Sequence, residues 1–135
     1  MRFSIIAVVT LAAIQPALTG PQIVEMQKLV RRVNISEAMM RIIVRLVRKT
    51  RVGEPDARPS VQKWVSWGAS PRACQSLVLG AKANAILDGR NEVLLGDVLE
   101  VARPVLNHRI MMNFAARAEG ITPIHVIDEL LKEAA

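Results

Sequence analysis

Residues 71–88, PRACQSLVLGAKANAILD, place apolar side chains on almost every face of a helix. Leu77, Val78, Leu79, Ala81, Ala83, Ala85, Ile86 and Leu87 leave little polar surface. A helix that is apolar nearly all round belongs in the centre of a domain, so the chain must supply other helices to cover it. Gly80, Ala81, Ala83 and Ala85 are small enough to let those helices come close, and Gly89 suits the left-handed turn that ends a helix. The composition agrees. Hydrophobic residues make up 51% of the chain but aromatics only 3%, with no tyrosine, which favours packed helices over a β-sandwich. At 135 residues the chain is long enough for one domain with a real core.

The entry to this helix carries the first chemical signal. Ser70 is a residue type that caps a helix through its hydroxyl, and Pro71 fits the first helical position, where no N–H is needed. Arg72 then falls in the first turn, at the positive end of the helix dipole. An exposed cation there costs about 0.3–1 kcal/mol, so Arg72 does not stabilise its own helix. Free N–H groups beside a guanidinium do, however, form a corner suited to phosphate. Gly68 either lets the backbone approach something closely or takes a positive φ, and the sequence leaves both open. The single cysteine, Cys74, excludes an internal disulfide framework and reads as an inert, partly buried thiol.

Along the rest of the chain, residues 1–15 form an apolar segment with the outline of a signal peptide or the remnant of a truncated preceding domain, and residues 16–135 read as helical. The apolar run is too short for a membrane span. Thr19 and Gln22 resemble a capping box before Ile23, Met26, Val30 and Val33, and Ser36 opens a helix to about Thr50. Arg41, Arg45 and Arg48 line one stripe of that helix, as a solvated face or as a contact surface for an acidic or phosphate-bearing neighbour. Residues 52–60, VGEPDARPS, are a loop, and Val61, Trp64 and Val65 fit a short helical turn. Trp64 and Trp67 are expected to pack and fix the approach to Ser70, the alternative being that one ring lies beside a bound purine. Gly96-Asp97 opens a helix that Pro104 should kink or end, leaving 105–109 as a turn. Met111, Met112 and Phe114 are expected to bury a connecting segment. Thr122-Pro123 starts a last helix, with Asp128 and Glu129 as surface acids.

Gly68-Ala69-Ser70-Pro71-Arg72-Ala73, then Leu77-Val78-Leu79-Gly80-Ala81-Lys82-Ala83 and Asp88-Gly89-Arg90, resemble the C-terminal lid of MoxR-type AAA+ ATPases. Residues 104–110 and 118–123 extend the match in order, so that it runs from about Pro16 to the end. The resemblance implies an all-α domain of about five helices, like the AAA+ small lid domain. It implies that Arg72 is the sensor-2 residue reaching nucleotide phosphates, with Gly68 and Ala69 near base or ribose and Ser70 and Pro71 completing that edge. His108 and Arg109 resemble a His-Arg pair of the family's lid, structural in the first reading and in contact with the core domain in the second. The implied cofactor is ATP, shared with a core domain, and the implied partners are that core domain or a neighbouring subunit of a ring. Chaperone-like remodelling is the activity of the intact family, and the implied compartment is the cytoplasm, with export the alternative if residues 1–19 are a signal peptide.

None of the seven glycines begins a GxxxxGK[ST] loop, and none is followed by lysine. A nucleotide's terminal phosphates need that cradle, and Mg²⁺ needs its hydroxyl and an acidic strand end. The chain is therefore expected to bind no Mg²⁺ itself, to carry no catalytic residue in isolation and to hydrolyse no ATP alone. His108 and His125 are the only histidines and have no ligand-spaced partners, so no metal site is expected. The rival reading is a basic helical nucleic-acid-binding protein. It would use the net charge of +6 through Lys28, Arg31, Arg32, Arg41, Arg45 and Arg48.

Overall fold

The structure, a computed structural model, describes residues 15–134. The signal-like or truncated-domain reading of the N-terminal segment falls almost wholly on residues 1–14, outside the described residues. The described residues form seven helices and one small antiparallel strand pair. Five helices are long: α1 (Gly20–Arg32), α2 (Glu37–Lys49), α4 (Arg72–Leu87), α5 (Leu95–Leu106) and α7 (Pro123–Ala134). Two are short, α3 (Pro59–Trp64) and α6 (Phe114–Ala118). The strands β1 (Val65–Trp67) and β2 (Met111–Met112) pair Val65 with Met112 and Trp67 with Met111. The expected all-α architecture of about five helices is the one found.

Start signals act largely where the sequence puts them. Ser36 Oγ accepts the Met39 amide at 3.2 Å, and Gln22 Oε1 reaches back to the Thr19 amide at 2.8 Å. Asn113 caps α6 by accepting the Ala116 amide at 2.9 Å.

Helix α4 is the central element: α5 runs along it, and α1 and α2 pack on its flanks, while α7 closes over α2 and α5. Leu77, Ile43, Val61, Val98, Leu106, Ile127 and Leu130 are fully buried, each worth about 1.5–3 kcal/mol of burial. A Cβ on Gly80 would stand 3.3 Å from the Val101 side chain, so α4 and α5 meet at a glycine. The centrality is narrower than the apolar composition predicts. The buried positions Ala73, Leu77, Ala81 and Ala85 form one stripe, and Leu79 and Leu87 lie on the exposed side.

Other expectations are corrected. Helix α5 passes through Pro104 to Leu106: the proline sits in its last turn and is exposed, and its missing N–H forgoes only the one bond to Glu100, itself an exposed residue. Val65 belongs to a strand, since its extended backbone pairs with Met112. Trp64 packs on the core, but Trp67 is 73% exposed and Phe114 87% exposed. Of the segment expected to be buried, only Met112 is. Helix α1 buries none of its residues. It is held at its end by buried Val33, by a Lys82 hydrogen bond to the Arg31 carbonyl (3.3 Å) and by the parallel bridge of Asn34 to Glu92.

Candidate functional site

The corner from Gly68 to Arg72 turns the chain from β1 into α4. Ala69 is fully buried. Its amide donates to Thr50 Oγ1 at 2.9 Å, and that hydroxyl donates to the Val47 carbonyl at 2.7 Å. The Ala69 carbonyl accepts Arg51 Nε–H at 3.1 Å. Both polar groups of Ala69 are thus satisfied by the end of α2, as burial demands. A Cβ on Gly68 would lie 2.3 Å from the Thr50 carbonyl oxygen and 2.7 Å from Arg51 Cα. Gly68 does not have a positive φ. Of the two uses left open for it, close approach is the one realised, and what it approaches is the backbone of Thr50 and Arg51.

Ser70 does not cap α4 through its hydroxyl. Pro71 itself takes helical dihedrals (φ −55°, ψ −25°), and the turn tightens. The Ala73 amide is then bound by the Ser70 carbonyl (2.9 Å) and the Cys74 amide by the Pro71 carbonyl (3.0 Å). Main-chain acceptors have taken the donors that a serine cap would have used. Ser70, Pro71 and Arg72 are all exposed.

Arg72 has no carboxylate within ion-pair distance among the described residues. Its carbonyl accepts Ser76 Oγ at 3.3 Å. Cys74, on the same turn, is partly buried; burial pushes its thiol pKa up while the Arg51 charge pulls it down, and burial dominates.

Arg109 is half-buried, donating to the Val105 carbonyl at 2.5 Å and to Ser76 Oγ at 3.1 Å, so it ties the end of α5 to α4 one turn past Arg72. His108 is exposed. The two line a groove of about 450 Å³ with Trp67, Met111 and Arg117.

The arginine stripe of α2 is neutralised. Arg41 pairs with Glu37 (2.9 Å), Arg45 with Asp56 (3.6 Å) and Arg48 with Glu54 (2.6 Å), and hydrogen bonding from Arg48 holds the Glu54 carboxyl below its ordinary pKa. These pairs border a groove of about 640 Å³ floored by Met40, Val44 and Pro55. Lys28 also pairs, with Glu25 at 2.7 Å. Of the six cations the nucleic-acid reading would use, Arg31 and Arg32 alone lie outside these pairs. Among the described residues, no three His, Cys, Asp or Glu side chains gather as a metal site would require.

Sequence reasoning missed Thr50 and Arg51. Their contacts to Ala69 span 19 and 18 residues and leave no local trace, although the doubt left over Gly68 was the available hint.

Helix α4, entered through this corner, is packed by α1, α2 and α5, with α7 against α2 and α5. Residues 57–130 match the AAA lid domain family, and the chain belongs to it. Two of its relatives are named as MoxR proteins. It is 33% identical over 118 residues to Chaperone MoxR1 of Mycobacterium tuberculosis, covering 87% of this chain and 31% of that one. It is 45% identical over 58 residues to Protein MoxR of Paracoccus denitrificans, covering 42% of this chain and 17% of the relative. A crystal structure of a provisionally assigned ATPase from Cytophaga hutchinsonii superposes with a TM-score of 0.79 at 36% identity, over 83% of this chain and 34% of that one. The chain spans about a third of the length of Chaperone MoxR1.

Proposed function

We propose that this chain closes over nucleotide bound by a MoxR-type AAA+ core domain and that Arg72 is the sensor-2 arginine contacting the phosphates. The observation that carries this reading is an exposed arginine without an ion-pair partner among the described residues, on a corner whose Ala69 amide and carbonyl are held by Thr50 and Arg51. A cation at a helix N-terminus is disfavoured until an anion arrives, so closure over phosphate relieves a local electrostatic cost. Ala69 is buried and Gly68 lies against α2, so both shape the corner. Ser70 and Pro71 offer the exposed edge nearest the ligand.

ATP is the ligand of this reading, with the phosphate cradle and Mg²⁺ site supplied by the core domain. Remodelling of client proteins by a ring of such subunits is the activity the chain would serve. His108, with Trp67 and Met111 beside it, would face the core domain or a neighbouring subunit. Among the described residues no helix is long and apolar enough to cross a membrane.

The test supplies a MoxR-type core domain in trans and measures ATP hydrolysis with and without this chain. The chain should stimulate turnover, and Arg72→Ala should lower kcat about a hundredfold, the usual cost of removing one charge-stabilising donor. Equal turnover with the wild-type and Arg72→Ala chains would exclude the assignment.

A further inference from the structure

We propose that Thr50 and Arg51, at the end of α2, are positioning residues for Arg72, an inference that rests on the reading of Arg72 as the phosphate contact. Arg72 is exposed and has no ion-pair partner to orient it, so its direction depends on the backbone that delivers it. That backbone is fastened at three points, all on two consecutive residues. The Thr50 hydroxyl accepts the Ala69 amide (2.9 Å), Arg51 Nε donates to the Ala69 carbonyl (3.1 Å), and Gly68 lies so close to Thr50 and Arg51 that no Cβ fits.

Thr50 is fully buried and its hydroxyl is used twice, accepting from Ala69 and donating to the Val47 carbonyl. Valine has the same shape but leaves the buried Ala69 N–H without a partner, and the corner would move to find water. Serine keeps the hydroxyl. The fastening is itself anchored: Lys49 pairs with Glu133 of α7, and Arg48 pairs with Glu54 of the following loop. The end of α2 therefore holds the corner from one side while the C-terminal helix holds α2 from the other. Any tilt of α2 carries the Arg72 corner with it. Misplacement by about 1 Å is enough to cost a hundredfold in rate, which gives such a device functional weight.

The experiment uses the same complex with core domain and measures kcat and the unfolding midpoint for a double-mutant cycle. Thr50→Val should lower kcat about tenfold. In an Arg72→Ala background the same change should alter kcat less than twofold, because the group it positions is already gone. Thr50→Ser should restore turnover. A role confined to stability would reduce activity equally in both backgrounds, and that result overturns the proposal, as does an unchanged kcat in Thr50→Val. If Thr50→Val does not fold, Arg51→Met, which keeps the aliphatic stem but has no N–H to donate, takes its place in the cycle with the same expectations. Should Arg72→Ala alone leave kcat unaltered, the reading of the site and the positioning claim fall together. A loss in Arg72→Ala without one in Thr50→Val overturns the positioning claim alone.

Discussion

Helix α4 has an arginine at each end, and the two live under opposite conditions. Arg90 follows the helix C-terminus, where the dipole favours a cation. Gly89 turns the chain there at φ +73°, and the Arg90 amide returns to the Ala85 carbonyl at 2.8 Å. Its guanidinium grips buried Asp97 with two hydrogen bonds (2.8 and 2.6 Å) and reaches Asp88 at 2.8 Å. Asp97 also caps α5 by accepting the Leu94 amide at 2.7 Å. Arg72, at the other end, opposes the dipole and has no ion-pair partner among the described residues. One arginine welds the α4–α5 turn. The other is exposed on a corner whose backbone is fastened to Thr50 and Arg51. A charged side chain bound to two carboxylates explains itself as structure, whereas one placed against the local field asks for a ligand.

Four substitutions or titrations can break or sharpen this contrast. The largest effect belongs to the welded end. Asp97→Ala removes the cap and both Arg90 bonds and should cost about 3 kcal/mol in urea unfolding. Next comes the mount of the other end: Gly68→Ala drives a methyl into the Thr50 carbonyl and should cost about 2 kcal/mol, read by the same unfolding curves. A smaller effect is expected from acid. Hydrogen bonding from Arg90 holds the Asp97 carboxyl below its ordinary value of 3.8. The stability it contributes is therefore complete above that value and disappears as pH falls through the lowered folded pKa. Unfolding midpoints measured across that range should decline in the wild type, and less so in Asp97→Asn. The smallest effect is also the most revealing in sign. Arg72→Glu exchanges a disfavoured charge for a favoured one and should stabilise the chain by about 0.5 kcal/mol. A loss of stability there would show that Arg72 is holding the fold, and the contrast would collapse.

How much of this was readable from the residues alone differs between the two ends. The helices declared themselves through 3.6-residue spacing and caps at Thr19 and Ser36, and the Arg72 corner through its conflict with the dipole. The Ser70 hydroxyl misled, because main-chain carbonyls compete for the same amides and Pro71 was able to join the turn. The fastening to Thr50 and Arg51 was invisible, since contacts 18 and 19 residues apart depend on how α2 and α4 pack. Arg41, Arg45 and Arg48 form a solvated face, the first of the two readings, and the stripe alone does not show that Glu54 and Asp56 fold back from the following loop to pair with two of them. Trp67 and Phe114 were misjudged because an apolar residue type says nothing of whether a neighbour exists to cover it.

The most direct test watches the guanidinium itself. In a complex of this chain with a MoxR-type core domain, the Arg72 Nε–H resonance should shift on adding ATP and stay in place on adding adenosine, which lacks phosphates. A resonance that ignores ATP, or moves equally with adenosine, would contradict the assignment of Arg72 to the phosphates.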